Sequence, residues 1–399
     1  MLRPIDTLGP LIDQRLAFLG TSPAREATYA EPITPLPEIL KEQLKTQGVT
    51  QLFSHQAQAW DAAQRGEDVA VVTGTSSGKT LCYNLPVIHA LQSEPMARAL
   101  YLFPTKALAQ DQLGKFESLA GNLDLYAATF DGDTARGRRA AARKESHVIL
   151  TNPDMLHVGI LPNHESWMRF FRALRIIVID EMHTYRGVFG SHVAGILRRL
   201  LRLCEWHRAR PQIIACSATL ANPGELFQDL TGRNATLITE DGAAHGERTI
   251  AILAPTIDED PTSPALSPNV ETGRILAELV THNTRSLAFC RARTSAELVL
   301  RYARQALRDH NTPESWVESY RGGYTAAERR TIERDLFSGK LRGLATTNAM
   351  ELGVDVGGLD AVIINGYPGT ISSFWQQVGR AGRSGRPGFG LLITHPDPV

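Results

Sequence analysis

The apolar run Val69-Ala70-Val71-Val72 leads into Thr73-Gly74-Thr75-Ser76-Ser77-Gly78-Lys79-Thr80, which is followed by Leu81-Cys82-Tyr83-Asn84-Leu85. The order is buried strand, turn of small residues, Gly-Lys-Thr, helix, and few folds accommodate it. Small residues let successive backbone N–H groups curl around phosphate oxygens, and the helix N-terminus adds partial positive charge. On this reading Thr75, Ser76, Ser77 and Gly78 cradle phosphates. Lys79 reaches the outer phosphates, and the Thr80 hydroxyl ligates Mg²⁺. One departure is that Thr73 stands where the strict pattern has its first Gly. The competing reading, a Gly/Ser-rich surface turn, weakens as partner motifs accumulate downstream.

A chain of 399 residues is too long for one typical domain and suits two or three. No run approaches the roughly 18 to 20 apolar residues of a membrane span. Residues 1–20 contain Asp6 and Asp13 and lack the basic-then-apolar pattern of a signal peptide. Lys plus Arg and Asp plus Glu each number 42, so any nucleic-acid-binding surface must be local and balanced elsewhere. The four cysteines, Cys82, Cys204, Cys216 and Cys290, form no C-x-x-C pair. They read as small apolar residues of a reduced cytoplasmic protein.

Residues 1–50 read as an N-terminal arm, Pro-rich over 31–37, with a short helix near 38–47. Gln56, just upstream of the loop, carries an amide that can both donate to and accept from an adenine edge. A strand over 99–103 ends at Thr105 and Lys106. Another over 148–150 ends at Thr151 and Asn152. Ligands bind at such strand ends in open α/β sheets. The basic cluster around Arg136, Arg138, Arg139, Arg143 and Lys144 reads first as a solvated helix face. Arg175-Ile176-Ile177-Val178-Ile179 is the clearest buried strand, and it delivers Asp180 and Glu181. Two adjacent carboxylates there need a cationic partner. A Mg·ATP site supplies one, with Asp180 holding the metal and Glu181 orienting and deprotonating the attacking water. A strand over 212–216 then ends in Ser217-Ala218-Thr219, hydroxyl residues able to couple this site to its neighbours.

The stretch 240–268, rich in Gly and Pro, marks the domain boundary. The expected division is an arm over 1–50, one α/β domain over 51–244 and a second over 245–399. Strand–helix alternation in both halves predicts two mostly parallel sheets covered by helices. The second half has no phosphate loop of its own. It ends in Gln376-Gln377-Val378-Gly379-Arg380-Ala381-Gly382-Arg383. Arg380 and Arg383, three apart, are expected on one helical face. They need an anion, and the first half builds a phosphate site with no visible arginine. Arginine fingers supplied to that site are the economical reading. The run 346–355, with Thr346, Thr347, Gly353 and Asp355, is a second candidate for the same place.

In order, Gln56, 73–80, 103–112, 151–156, 180–183, 217–219, 346–355 and 376–383 resemble the motifs of the superfamily 2 helicases. The likeness covers nearly all of the chain after residue 50. Asp180-Glu181-Met182-His183 and the Gln376 that opens the last motif point away from the DEAD-box RNA helicases. Val72-Thr73-Gly74-Thr75, residues 180–193 and Tyr367-Pro368-Gly369-Thr370 with Trp375 are similar to the mitomycin repair factor A type, bacterial DNA helicases related to fungal RecQ-like repair enzymes. The resemblance implies two tandem RecA-like domains with ATP in the cleft between them, and adenine contacts from Gln56. Gly353, Asp355 and Gln376 would lie on the nucleotide. Single-stranded or partly duplex DNA would run along Thr105, Lys106, Thr151, Asn152, Arg321, Thr346 and Thr347. It also implies 3′-to-5′ translocation and a role in repair, by a monomeric core near the nucleoid with repair proteins among its partners. That family carries a cysteine-rich zinc domain after the helicase core. The chain ends at Val399 without a cysteine cluster, so a shortened relative, a fragment or a truncated product is expected. Two other functions stay open: an RNA-directed remodelling ATPase, and an ATP-gated nucleic-acid clamp with little turnover.

Overall fold

The computed structural model describes residues 3–255, 267–321, 323–351, 358–382 and 385–395. Its strands are β1 (Leu16–Ser22), β2 (Val69–Val72), β3 (Arg98–Leu102), β4 (Ala127–Thr129), β5 (Val148–Thr151), β6 (Leu174–Ile179), β7 (Gln212–Ser217), β8 (Thr236–Ile238), β9 (Arg248–Leu253), β10 (Ser286–Cys290), β11 (Val317–Tyr320), β12 (Gly343–Thr346), β13 (Ala361–Asn365) and β14 (Gly388–Ile393). The chain divides into two compact units. One is 27–243. The other joins 1–26 to 244–399.

The 27–243 unit holds a seven-stranded sheet in the order β4-β5-β3-β6-β7-β2-β8, and every pairing is parallel. Its central strands are buried on both faces, which is why they read as unbroken apolar runs. One core layer gathers Val71, Tyr101, Val178 and Ile214 with Trp60 and Phe116. The opposite layer gathers Leu100, Ile149 and Ile177 with Trp167, Phe171 and Leu197.

The other unit has the order β1-β9-β14-β13-β10-β12-β11. All of its pairings are parallel except β1 with β9. Its two core layers are centred on Ala288, Ile363 and Leu391, and on Leu287, Val362 and Ile364. Each unit is therefore a RecA-like sheet flanked by helices.

The expected 1–50 arm is corrected. Residues 1–26 belong to the later unit. Leu16 pairs with Leu253 and Ser22 with Arg248, so β1 closes that sheet's edge. Arg15 reinforces the join through Glu271 at 2.6 Å and the Ala254 carbonyl at 2.7 Å. Residues 27–50 belong to the earlier unit. Both Asp61 carboxylate oxygens accept backbone N–H groups, from Ile33 at 2.9 Å and Thr34 at 2.8 Å. The Trp60 indole N–H donates to the Thr34 carbonyl at 2.7 Å. The Pro-rich segment is thus tied to the helix Ser54–Gln64 rather than left as an arm.

Candidate nucleotide site and strand-end motifs

The loop expected to bind phosphate leaves the C-terminal end of β2 and enters the helix Lys79–Ser93. Ser76 has φ +62° and Gly78 φ +77°, so the chain turns through left-handed backbone twice. Gly78 is required on a second ground. A Cβ there would come within 2.7 Å of the Gln56 side-chain nitrogen. The Lys79 ammonium donates to two of the loop's own carbonyls, Thr73 at 3.1 Å and Gly74 at 2.6 Å. The loop is therefore curled around the one cation that a bound phosphate would attract.

Three side chains outside the loop fix its backbone. Gln56 is buried. Its amide donates to the Gly78 carbonyl at 3.0 Å and its oxygen accepts the Phe53 N–H at 3.0 Å. His55 is wholly buried, with Nε2 at 2.9 Å from the Ser77 carbonyl and Nδ1 accepting the Gly242 N–H at 3.1 Å. Those partners assign the neutral ring, with its proton on Nε2. Asp241 accepts the Gly74 N–H at 2.9 Å and the Ala243 N–H at 2.9 Å. Gly242 admits no side chain, since a Cβ would meet the Ser54 hydroxyl at 2.3 Å and the Thr28 carbonyl at 2.8 Å. Residues 241–243 close the earlier unit, so its last residues are tied to the phosphate loop. Sequence reasoning missed His55 and Asp241. The adjacency of His55 to Gln56 was the signal for the first, and nothing marked the second.

Asp180 and Glu181 lie where the chain leaves β6. Glu181 sits in left-handed backbone at φ +51°, a strained position for a residue with a side chain. Burial, and then the neighbouring Glu181 charge, push the Asp180 carboxyl up to about 7, against the lowering effects of the Glu181 N–H, Lys79 and Tyr83. Asp180 accepts the Glu181 N–H at 2.9 Å, and the Tyr83 hydroxyl lies 3.2 Å from its other oxygen. Gln112 connects Tyr83, at 3.1 Å, to the Thr80 hydroxyl, at 3.3 Å. A buried carboxylate raised in this way is short of positive charge, so Asp180 and Thr80 suit a hard cation. His183 Nδ1 lies 3.3 Å from the Ser217 hydroxyl, accepts the Ala218 N–H at 3.3 Å and lies 3.4 Å from a Glu181 oxygen. The Ser-Ala segment at the end of β7 thus touches the acidic pair through His183.

The residues assigned to nucleic acid occupy matching strand ends in the two units. Thr151 ends β5 and donates to the Phe130 carbonyl at 2.6 Å. Thr346 ends β12 and donates to the Tyr320 carbonyl at 2.8 Å. Both are fully buried. Thr105 and Asn152 cap helices by accepting the N–H groups of Leu108 at 3.2 Å and Met155 at 2.8 Å. Thr347 accepts the Ala349 N–H at 3.4 Å. Lys106 pairs with Asp133 at 3.1 Å, and Arg321 with Glu297 at 2.6 Å. Most of these side chains are engaged internally, and Thr151, Asn152, Thr346 and Thr347 are buried.

The expectation that Arg380 and Arg383 share a helical face is corrected. The helix ends at Val378, and Arg380 lies in the turn after it. The cause is the Gly379 and Gly382 pair, the latter at φ +72°. Arg383, Gly353 and Asp355 fall outside the described residues. Arg380 is buried and donates to the Glu351 carbonyl. The Glu351 carboxylate in turn accepts from Ser373 and, at 2.9 Å, from Gln377. Gln376 is buried beside them. Glu351 was not singled out in the sequence, although it lies within the 346–355 motif.

Residues 53–226 match the family model described as DEAD/DEAH box helicase, and residues 271–385 match the helicase conserved C-terminal domain. The chain is 42% identical over 371 residues to the ATP-dependent helicase YprA of Bacillus subtilis (strain 168), covering 92% of this chain and 49% of that one. It is 42% identical over 356 residues to ATP-dependent helicase HRQ1 of Saccharomyces cerevisiae, covering 87% of this chain and 33% of that one. The crystal structure of the helicase MrfA bound to DNA superposes with a TM-score of 0.91 at 40% identity, over 99% of this chain and 53% of that one. The chain spans about half the length of YprA and a third of that of HRQ1. Two helicase domain models in tandem, with these likenesses, place the chain in the superfamily 2 helicases, on the MrfA- and HRQ1-like branch.

Proposed function

We propose that the chain is the ATP-hydrolysing motor of a DNA helicase, translocating 3′ to 5′ on single-stranded DNA in the service of repair. The observation that carries this reading is the Lys79 loop set beside the buried Asp180 and the partly exposed Glu181. MrfA has been solved with DNA and AMPPNP together, which supports ATP and DNA as the ligands. Lys79 binds the outer phosphates, Gln56 offers the adenine the amide N–H and lone pair that its bonds to Gly78 and Phe53 leave over, and Glu181 orients and deprotonates the attacking water. Thr80 and Asp180 would hold Mg²⁺, which supplies charge neutralisation on the phosphates. Arg380 stabilises the transition state. The strand-end backbone near Thr105, Thr151, Arg321 and Thr346 grips DNA phosphates without reading sequence.

ATPase rates measured with single-stranded DNA, with RNA and with no polynucleotide test the proposal. The expected result is strong stimulation by DNA, weaker stimulation by RNA, and DNA affinity that falls as salt rises. Equal stimulation by RNA would favour a remodelling ATPase. Negligible turnover under all three conditions would favour a clamp.

Asp241 provides a second check. It holds the first turn of the phosphate loop through the Gly74 N–H. Asp241→Ala leaves that N–H without its acceptor and loosens the loop before ATP arrives. The expected outcome is a KM for ATP raised about tenfold, as for a lost charge-assisted hydrogen bond, with a smaller change in kcat. ATP titrations of the DNA-stimulated rate read both. An unchanged KM would remove Asp241 from the site.

A further inference from the structure

The later unit contains a cavity of about 540 Å³ at the N-terminal ends of its strands. Arg285 precedes β10, Arg342 precedes β12 and Arg386 precedes β14, and all three line it. The strand-end motif Thr346-Thr347 lies at the other end of β12, roughly 13 Å away at the rise of a four-residue strand. The cavity is therefore separate from the surface assigned to nucleic acid.

Of the arginines that line it, Arg3 pairs with Asp6 at 2.9 Å. Arg15, Arg175, Arg304, Arg308 and Arg321 all pair with carboxylates. Among the described residues, Arg285, Arg342 and Arg386 make no ion pair. Arg285 and Arg386 nevertheless converge. A terminal nitrogen of each lies close to the point where a Cβ on Gly358 would sit, at 2.4 Å and 3.0 Å respectively. The glycine, at φ +82°, is what lets them approach. Arg342 is held flat over the Trp316 ring, 3.6 Å from its centroid. Asp360, which also lines the cavity, accepts the Arg285 backbone N–H at 2.9 Å. Four arginines, Arg3, Arg285, Arg342 and Arg386, line the cavity against two carboxylates, Glu247 and Asp360, and the excess of positive charge favours an anion there.

We propose that this cavity binds a phosphate monoester. Planar guanidinium groups match the oxygens of phosphate, and a dianion balances several of them at once. The volume exceeds that of bare phosphate and lies in the range of small-molecule sites. Phe389, Pro4 and Ile5 supply an apolar wall for the organic group. Two sources present this chemistry: a free sugar or nucleoside phosphate, and the phosphorylated end of a nucleic-acid strand.

Phosphorus NMR with 2-deoxyribose 5-phosphate as the probe tests the proposal. It is run on the wild-type protein, on Lys79→Ala, on Arg285→Ala and on Arg386→Ala. Both arginines are solvent-accessible enough for the variants to fold, and matching melting temperatures without ligand check this. The expected result is saturable line broadening in the wild-type protein and in Lys79→Ala, with affinity about tenfold weaker or worse in each arginine variant. Absence of saturable binding, its loss in Lys79→Ala, or its persistence in both arginine variants would overturn the assignment. Paired oligonucleotides with a 5′-phosphate or a 5′-hydroxyl then separate the sources. A phosphate preference that vanishes in Arg386→Ala identifies a strand end. Equal binding of the two oligonucleotides, with the sugar phosphate still arginine-dependent, identifies the free ester.

Discussion

Lys79→Ala is expected to reduce DNA-stimulated ATP turnover at least about 100-fold, the scale of losing one charged donor to a transition state. The loop contains no second cation: between Thr73 and Thr80 every other residue is Gly, Ser or Thr. The backbone amides that remain can cradle phosphate, but they do not supply a full charge at its outer oxygens. The structure adds a reason to expect clean kinetics. Among the described residues, Lys79 donates to the carbonyls of Thr73 and Gly74, which already take part in the loop's turn. Ser77 also donates to the Gly74 carbonyl at 2.9 Å, and His55, Gln56 and Asp241 brace the loop independently. Removing the ammonium should therefore leave the fold and its melting temperature close to wild type. Lys79→Arg is the complementary variant, since it keeps the charge but cannot fit the same tight turn. Steady-state ATPase assays on both, with melting curves on the same preparations, check this. A Lys79→Ala protein that turns over within a few-fold of wild type would show that the loop is not the hydrolytic site.

The candidate site was legible in the sequence wherever its proposed residues follow a buried strand. Strands β2, β5, β6 and β12 are covered on both faces, so each reads as an apolar run with its candidate residues immediately after. The residues that brace those motifs were not legible. Asp241 reaches Gly74 across 167 positions and Gly242 reaches His55 across 187, and no local pattern records such pairs. The strands that were missed lack the pattern too. β4 and β8 have three residues each, and β1 is an edge strand with exposed Phe18 and Leu19. The return of residues 1–26 to the later unit depends on the pairing of β1 with β9, more than 220 positions away, which periodicity cannot reveal.

Arg380→Ala is expected to slow ATP hydrolysis by about 10³- to 10⁵-fold, the range for arginine fingers in nucleotide hydrolases, while weakening ATP binding far less. The difference arises because the guanidinium meets its full complement of charge only as the phosphoryl group transfers. Arg380 also has a structural partner, the carbonyl of Glu351, whose carboxylate holds Gln377 at 2.9 Å. Truncation therefore removes a buried hydrogen bond as well, a loss of about 1 to 3 kcal/mol in stability. The two roles separate on one preparation. A purely structural arginine predicts a lower melting temperature with turnover per folded molecule nearly intact. A finger predicts that turnover collapses even at temperatures where the variant is fully folded. Arg380→Lys sharpens the distinction. An ammonium can still donate to one carbonyl and restore part of the stability, but it lacks the planar fork that grips two phosphate oxygens, so catalysis should recover poorly. Gln377→Ala supplies the structural control, because it disturbs the Glu351 cluster without removing the charge. If it slows hydrolysis as much as Arg380→Ala does, the effect belongs to the cluster's packing, and the finger assignment fails.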